Sequence, residues 1–465
     1  MNGRPYLAAA GLVVGALACQ TPPPSLAHGL SAASASPPST LLRIPSAGGQ
    51  ALLYRPPELD PAKWKSEGAL PGVRRVVGAD LDQGLIYLLG AKAEVVTLDL
   101  QTGRVRQQVI DGVRDAAIGP DGTLYTVDDS NAVTQLVRRN PVRFQSRLPS
   151  RPRDLFGTKD AQLLAITRGT GNQLNVLSSD QPPTEVAIPS GDAAATLWGD
   201  MVAVAADTAV VLVDPREQNK LESIPISEHA RAVAFSPSGH RLYVARREGS
   251  VLVFNRFTNE QVGEITLPGP ARALRMGPFG RWLLVNPPSA DSLWLVDLSS
   301  NTFVAGFETE WSSDLPTVTN QQLLLLKSGG DLVAVDLTQS KMTVTGRVKG
   351  GAKDYWITLP WSPETGTASP TPEIPESTVV AEDSVSSSEV FLQVSSSQNK
   401  AWASELASQL SSAGLPARVI DPRAGEEGFR VVLGPYPTRE VAESAGRRLG
   451  RPFFIYQPDR QDASP

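Results

Sequence analysis

Few side chains of this chain could carry out catalysis. Its 465 residues include three histidines, His28, His229 and His240, and a single cysteine, Cys19. A metal site needs several His, Cys or carboxylate ligands at short spacing, and nucleophilic catalysis needs a nucleophile beside a base. The sequence has no HExxH, GxSxG or phosphate-loop motif to supply either. We therefore expect no catalytic residue, no metal and no cofactor, and a protein that is not an enzyme.

Aspartates recur at equivalent places along the chain, which is not the pattern of a catalytic cluster. Asp99, Asp214, Asp297 and Asp336 each follow a short apolar run such as VVTL, VLV or LWLV. Asp commonly closes a turn by accepting hydrogen bonds from backbone N–H groups ahead of it. A catalytic site needs unlike groups that converge at one place, so the repetition predicts a turn-capping role.

Six arginines form a basic cluster in a chain whose formal net charge is −5. They are Arg138, Arg139, Arg143, Arg147, Arg151 and Arg153. One interpretation is a solvated outer strand whose charges block edge-to-edge pairing. The other is a dock for an anionic partner, because Arg binds carboxylate and phosphate in a bidentate manner. The negative net charge argues against a general nucleic-acid-binding protein, which needs a basic surface.

The last part of the chain has the pattern of a small α+β domain. The run VFLQV from residue 390 alternates its side chains between two faces, as a strand does. Apolar residues at helical spacing follow over residues 399–413, and FRVVLGPY over 429–436 predicts another strand. A strand over 416–420, a helix over 438–449 and the terminal FFIY complete the order. This order predicts a four-stranded sheet with two helices on one face.

The same segment resembles the SPOR domain, a bacterial module. Its run LQVSSS, residues 392–397, corresponds to the family's VQVGSF, and FRVVLGPY corresponds to the family's YRVRVGPF. Two positions depart from the family pattern, since Ser397 replaces an aromatic residue and Val432 replaces an arginine. The resemblance implies binding to septal peptidoglycan whose glycan strands have lost their stem peptides.

Strand alternation predicts which residues face away from the helices. On the first strand these are Phe391 and Gln393, and on the third they are Arg430 and Val432. The predicted glycan-binding residues are Phe391, Gln393, Ser396, Arg430, Val432 and Tyr436. Gln393 and Arg430 are expected to hydrogen-bond sugar groups. Phe391 and Tyr436 are expected to pack on sugar faces.

The N terminus has the features of an export signal. An apolar run over residues 7–18 follows a single Arg4 and ends at Cys19. Residues 1–18 therefore predict a signal peptide, with an uncleaved membrane anchor as the alternative. The run ALAC, residues 16–19, resembles the bacterial lipobox, which implies that Cys19 is acylated; cleavage without lipidation is the alternative. Residues 19–40 then form a tether, and we expect the protein on the periplasmic face of the outer membrane.

Repeats fill the chain between this tether and the C-terminal segment. Units of about 40 residues recur, which is the spacing of a four-stranded propeller blade. Equivalent places are marked by Tyr87, Tyr125, Leu164, Val202, Tyr243, Leu283 and Leu324. Turns such as PDG and PSG precede these places, and four apolar runs make each unit an antiparallel meander.

The repeats resemble the YVTN and WD-repeat-like propellers of bacteria. Such sheets bury both faces by packing radially. We predict an all-β propeller over residues 41–361 with seven blades and a shared closing strand, the alternative being an eighth blade split between the two ends. The tryptophans predicted to pack within or between blades, rather than form a ligand platform, are Trp198, Trp311, Trp356 and Trp361.

A linker rich in Pro, Ser, Thr and acidic residues covers residues 362–388. It predicts that the propeller and the C-terminal domain, residues 389–459, move independently. We interpret the chain as a lipid-anchored envelope protein that binds peptidoglycan glycan strands, the membrane and an unidentified protein, but no nucleic acid. This implies a role in cell division or envelope organisation. The alternatives are a propeller enzyme of lactonase or quinoprotein type and an outer-membrane assembly scaffold whose SPOR domain does not bind glycan.

Overall fold

The computed structural model describes two parts of the chain. The first is residues 39–359, apart from residues 81–82, 109–111, 138–139, 169–170, 180, 217–220, 228, 257, 279, 290, 320 and 340. The second is residues 390–397, 400–412, 415–422, 429–436, 442 and 454–456. The predicted signal peptide, Cys19, the tether to residue 38 and the linker lie outside the described residues.

Within the first part, strands follow one another with short turns between them. They are β1 (Thr40–Ile44), β2 (Leu52–Arg55), β3 (Asp60–Lys65), β4 (Val73–Asp80), β5 (Leu85–Gly90), β6 (Val95–Asp99), β7 (Val105–Gln108), β8 (Val113–Ile118), β9 (Leu124–Asp128), β10 (Ala132–Val137), β11 (Asn140–Arg147), β12 (Pro152–Gly157), β13 (Leu163–Arg168), β14 (Asn172–Leu177), β15 (Thr184–Ile188), β16 (Ala193–Ala195), β17 (Val202–Ala205), β18 (Ala209–Val213), β19 (Leu221–Pro225), β20 (Ala230–Phe235), β21 (Arg241–Arg246), β22 (Ser250–Asn255), β23 (Gln261–Thr266), β24 (Ala273–Met276), β25 (Trp282–Asn286), β26 (Ser292–Asp297), β27 (Thr302–Glu308), β28 (Thr317–Val318), β29 (Leu323–Ser328), β30 (Asp331–Asp336), β31 (Thr343–Val348) and β32 (Tyr355–Leu359). A 3-10 turn, Gly351–Lys353, precedes β32.

These strands form eight four-stranded antiparallel sheets among the described residues. Blades 1 to 7 are β4–β7, β8–β11, β12–β15, β16–β19, β20–β23, β24–β27 and β28–β31, and blade 8 is β32 with β1, β2 and β3. The seven marker residues of the sequence repeat all lie on the second strand of a blade. Turn glycines such as Gly122 and Gly239 make the tight reversals possible, because their φ angles of 76° and 67° are left-handed.

Apolar packing closes the eight sheets into a ring. Leu212 of blade 4 and Leu242 of blade 5, for example, share one cluster and are 1% and 0% exposed. Equivalent clusters join every consecutive pair of blades, from blades 1 and 2 round to blades 7 and 8. A last cluster joins blade 8 to blade 1, with Leu42 and Leu53 against Ile86 and Val96. Each sheet therefore buries both faces against neighbours, which is the β-propeller solution.

The predicted number of seven blades is wrong, because the segments before blade 1 and after blade 7 pair with one another. β1 pairs antiparallel with β32, with Leu42 opposite Ile357. The Nε atom of Arg43 also lies 2.6 Å from the Oδ2 atom of Asp354, and the second carboxylate oxygen accepts the Ser46 N–H at 3.1 Å. The two chain ends thus share blade 8, which is the split blade that the sequence left as the alternative.

The second part is a small α+β unit. Its strands are β33 (Val390–Ser397), β34 (Ala417–Ile420), β35 (Phe429–Tyr436) and β36 (Phe454–Tyr456), in the sheet order β34-β35-β33-β36. Helix α1 (Lys400–Ser412) packs Leu406 and Leu410 against Leu392 and Leu433. The predicted second helix lies outside the described residues except for Ala442, which is buried in the same cluster.

Candidate functional site

The sheet face opposite α1 carries the predicted glycan-binding residues other than Tyr436. Gln393 of β33 pairs with Val432 of β35, and Ser396 pairs with Arg430. Phe391 and Val432 are fully buried in a second apolar cluster that contains no residue of α1. Gln393 and Arg430 are half-buried. The side chain of Ser396 is not among those that the structure describes.

Two residues of this face were missed by the sequence analysis. Arg418 of β34 lies opposite Val432, and Tyr456 of β36 lies opposite Phe391. The Arg418 Cζ atom stands 4.4 Å from the centre of the Phe391 ring, and the Arg430 Cζ atom stands 5.2 Å from that of Tyr456. The two rings are 6.5 Å apart. Alternation along ARVI would have placed Arg418 on a face, but the pairing of β34 with β35 decides which one.

The geometry gives Phe391 a different role from the predicted one. Its ring is 0% exposed, because Val432, Tyr456 and the Arg418 guanidinium cover it. It therefore does not offer a bare surface for a sugar. It supports Arg418 through a cation–π contact, in which the guanidinium lies over the ring. The polar upper layer of the face is formed by Arg418, Arg430 and Gln393.

Tyr436 is on the opposite side of the sheet from the predicted one. Leu392 pairs with Leu433 and Val390 pairs with Tyr436, so β35 has one residue more than β33 over this stretch. Such a bulge reverses the alternation, because side chains point to opposite faces with a period of two. Tyr436 is consequently 8% exposed within the α1-side cluster. Burial raises the pKa of its phenol.

The predicted basic cluster is not one surface. Arg143 and Arg147 lie on the outermost strand of blade 2, and Arg147 and Arg151 are exposed. Arg153, in contrast, lies on β12, the innermost strand of blade 3. Its guanidinium bonds the Asp154 carboxylate at 2.6 Å and the Gly191 carbonyl at 2.5 Å. Arg138 and Arg139 lie outside the described residues.

Charged groups on the innermost strands, and Asp314 just before β28, bond from blade to blade. The Arg75 guanidinium is 2.7 Å from the Asp115 carboxylate of the next blade. Arg275 donates to the Pro316 carbonyl at 3.0 Å. Asp314 accepts the Trp356 N–H at 2.7 Å. These groups hold the ring together at its centre.

The repeated aspartates have the predicted role in the turns. Each accepts the N–H of the residue two positions ahead, namely Gln101 for Asp99 at 3.0 Å, Arg216 for Asp214 at 2.9 Å, Ser299 for Asp297 at 2.8 Å and Thr338 for Asp336 at 2.8 Å. Burial raises the pKa of Asp297, but hydrogen bonds from Ser299 and Arg281 outweigh it and lower the pKa overall. These carboxylates are structural.

Three of the four singled-out tryptophans lie in the described part of the chain. Trp356 is 2% exposed and meets the Tyr54 ring edge-on, with ring centres 5.3 Å apart. The Trp311 indole donates to the Ser292 carbonyl at 2.8 Å. Trp198 lies in a turn of blade 4 and is half-buried. Trp361 lies outside the described residues.

Two of the three histidines lie in the described part of the propeller. His240 is 6% exposed, in the turn between β20 and β21. The Nδ1 atom of His229 lies 2.5 Å from an Asp207 carboxylate oxygen. No group of three or more His, Cys, Asp and Glu side chains within metal-binding reach occurs among the described residues. None of the helices described is long and apolar enough to span a membrane.

Comparison with known proteins agrees with this two-part architecture. The fold of residues 39–359 defines a β-propeller, and residues 386–456 match the family model of the SPOR domain. The chain is therefore a β-propeller protein that carries a SPOR domain, and SPOR domains bind peptidoglycan. No curated protein matches the chain.

Several solved structures are similar to the propeller part of the chain in fold. The dihydro-heme d1 dehydrogenase NirN shares 14% identity over 68% of this chain and 76% of its own, with a TM-score of 0.48. AztD of Citrobacter koseri shares 10% identity over 69% of this chain and 98% of its own, with a TM-score of 0.49. The Cps50 (Swd1) propeller domain of Myceliophteria thermophila shares 12% identity over 58% of this chain and 96% of its own, with a TM-score of 0.40.

Proposed function

We propose that this protein is a lipid-anchored envelope protein that binds glycan strands of peptidoglycan through its SPOR domain, while the propeller binds a protein partner. Its role would be in cell division or envelope organisation. The observation that carries the proposal is the face opposite α1, where two guanidinium groups are held above a pair of aromatic rings. A role without catalysis agrees with the turn-capping and blade-joining use of the charged residues.

The chemistry of this face suits glycan strands that have lost their stem peptides. Removal of the peptide leaves a carboxylate on the sugar to which it was attached. Arg418 and Arg430 offer charge-assisted hydrogen bonds to such a group, and these bonds are about twice as strong as neutral ones. Gln393, beside them on β33, can donate to sugar hydroxyl and acetamide oxygens. We also infer a second helix over residues 438–449, supported by the burial of Ala442 beside α1.

The outer wall of the propeller supports the role in protein binding. Exposed large apolar residues lie on the outermost strands of blades 4 to 7, namely Leu221, Val262, Phe303 and Val344. These side chains are 37% to 57% exposed. An apolar row on an edge strand favours contact with another polypeptide.

Co-sedimentation of the full chain with isolated sacculi tests the glycan-binding proposal. Replacing both arginines, Arg418→Ala with Arg430→Ala, removes two charge-assisted hydrogen bonds of about 1.5 to 3 kcal/mol each. We expect retention to fall by at least tenfold, and wild-type retention to rise when an amidase has removed the stem peptides.

Tyr436→Phe is the matched control. Its phenol lies on the α1 side of the sheet, so removing the hydroxyl should not change retention on sacculi. Equal retention of the wild type and the double variant, both folded by circular dichroism, would contradict the arginine face as the binding site. No retention of the wild type would favour the scaffold whose SPOR domain does not bind glycan.

A further inference from the structure

We propose that the SPOR domain docks on the propeller through its α1-bearing side, with Trp198 as the central contact. Trp198 belongs to blade 4, yet its indole packs against the apolar cluster of the SPOR domain. That cluster contains Leu406 and Leu410 of α1 and Leu392 and Leu433 of the sheet. The contact joins two parts of the chain that the linker composition predicts to be independent.

The turn that presents Trp198 has the backbone hydrogen bonding of its counterparts but different side chains. Residues 196–201, the Trp198 turn, connect β16 to β17, and the run LWG stands there where blades 2, 5 and 6 have PDG, PSG and PFG. Leu197 within it is 59% exposed, the highest value among the exposed large apolar residues. An exposed Leu beside a Trp on a turn tip is a feature typical of a contact surface.

Neighbouring groups hold the Trp198 turn in place. The Trp198 carbonyl accepts the Lys159 N–H of blade 3 at 3.0 Å, and the Lys159 ammonium lies 5.1 Å from the centre of the indole. Gly199, with a φ of 69°, makes the tight reversal after Trp198. The indole is therefore held in position before the SPOR domain arrives, which lowers the entropic cost of docking.

The path of the chain allows this dock. All blades have the same strand order, so their innermost strands run in one direction and end at one end of the ring. The Trp198 turn follows the innermost strand β16, and Leu359 ends the innermost strand β32. The linker therefore leaves the ring at the end that carries Trp198. Residues 360–389 could reach about 100 Å if fully extended, which is enough to cross from blade 8 to blade 4.

Docking on this side leaves the other sheet face clear. Arg418 and Arg430 are opposite α1, whereas Trp198 packs on the α1 side. The propeller and the glycan-binding face would thus be held in a fixed relative orientation. A partner on the propeller would then be positioned at a set distance from the glycan strand.

Small-angle X-ray scattering and hydrogen exchange on the full chain test the dock. Trp198→Ala should increase the maximum dimension and remove exchange protection from residues 400–412 and 196–201. Trp198→Gln, which keeps a side chain of some bulk, should do the same. Phe303→Ala is the matched control, since Phe303 is also exposed and apolar but lies on the outer strand of blade 6.

The outcomes separate this inference from the proposed function. Unchanged dimensions and exchange in both Trp198 variants, with melting curves like that of the wild type, would overturn the dock. We expect both variants to retain sacculus binding, because the arginine face is on the other side of the sheet. Loss of that binding would also contradict the proposed orientation.

Discussion

At the scale of single residues, burial decides which groups respond to pH. His240 lies in a turn at the interface of blades 4 and 5 and is 6% exposed. Burial lowers its pKa to about 4, and the positive charges of Arg241 and Arg256 act in the same direction. In the unfolded chain a histidine titrates near 6.5. The folded protein therefore keeps His240 neutral at a pH where the unfolded chain binds a proton.

This difference predicts an acid-sensitive stability. Because the folded pKa is the lower one, the unfolded chain binds the proton first, so stability falls as the pH drops from about 6.5 toward 4. We expect the wild type to lose about 2 kcal/mol from this residue between pH 7 and pH 5. His240→Gln should abolish that part of the loss, as measured by urea denaturation at both pH values.

His229→Gln serves as the comparison, because the side chain of His229 is 42% exposed, whereas that of His240 is buried. An acid-induced loss that is the same in His240→Gln as in the wild type would contradict the assignment.

At the scale of elements, strand pairing determines both how the propeller ring closes and which side chains form the candidate site of the SPOR domain. One extra residue in β35 moves Tyr436 to the α1 side, and pairing of β34 with β35 brings Arg418 above Phe391. The same principle closes the propeller, where β1 pairs with β32 from the other end of the ring. Because this strand comes from a distant part of the sequence, we expect the ring to unfold as one cooperative unit.

The closing strand can be tested at Leu42, which is 0% exposed between blades 8 and 1. Leu42→Ala removes buried apolar volume and should cost about 2 to 5 kcal/mol of unfolding free energy. We expect one urea transition, monitored by circular dichroism, with a lower midpoint than that of the wild type.

Val344→Ala, at a position that is 57% exposed on β31, should change the free energy by no more than about 0.5 kcal/mol. A separate early transition in Leu42→Ala would show that β1 frays independently of the ring.

At the scale of the whole molecule, both ends of the propeller leave the ring together. Thr40 pairs with Leu359, so the N-terminal tether and the linker start from the same end. Trp198 lies at this end as well. A lipid anchor at Cys19 would therefore be joined to the same end of the ring as the SPOR domain.

Lipid anchoring is tested by Cys19→Ser. Removing the thiol leaves no site for thioether attachment of the lipid, so the protein should move from the membrane fraction to the soluble fraction. Mass spectrometry of the wild type should give a mature chain that begins at an acylated Cys19. A mature chain that begins elsewhere would contradict the anchor.

The sequence by itself determined the classes of structure. Period-two alternation and turn residues predicted propeller blades, and the order of strands and helices, with the LQVSSS and FRVVLGPY runs, predicted a SPOR domain. The capping aspartates and the open-face positions of Gln393, Arg430 and Val432 also followed from sequence, because alternation and turn chemistry are local properties.

Tertiary structure decided what depends on contacts between distant segments. The eighth blade required pairing of β1 with β32, which no local pattern specifies. Arg418 covers Phe391 because β34 and β33 both pair with β35. The bulge that moves Tyr436 to the α1 side is visible only in the register of β35 against β33. Side-chain direction in a sheet is set by register, and register is fixed by the partner strand and not by the strand's own residues.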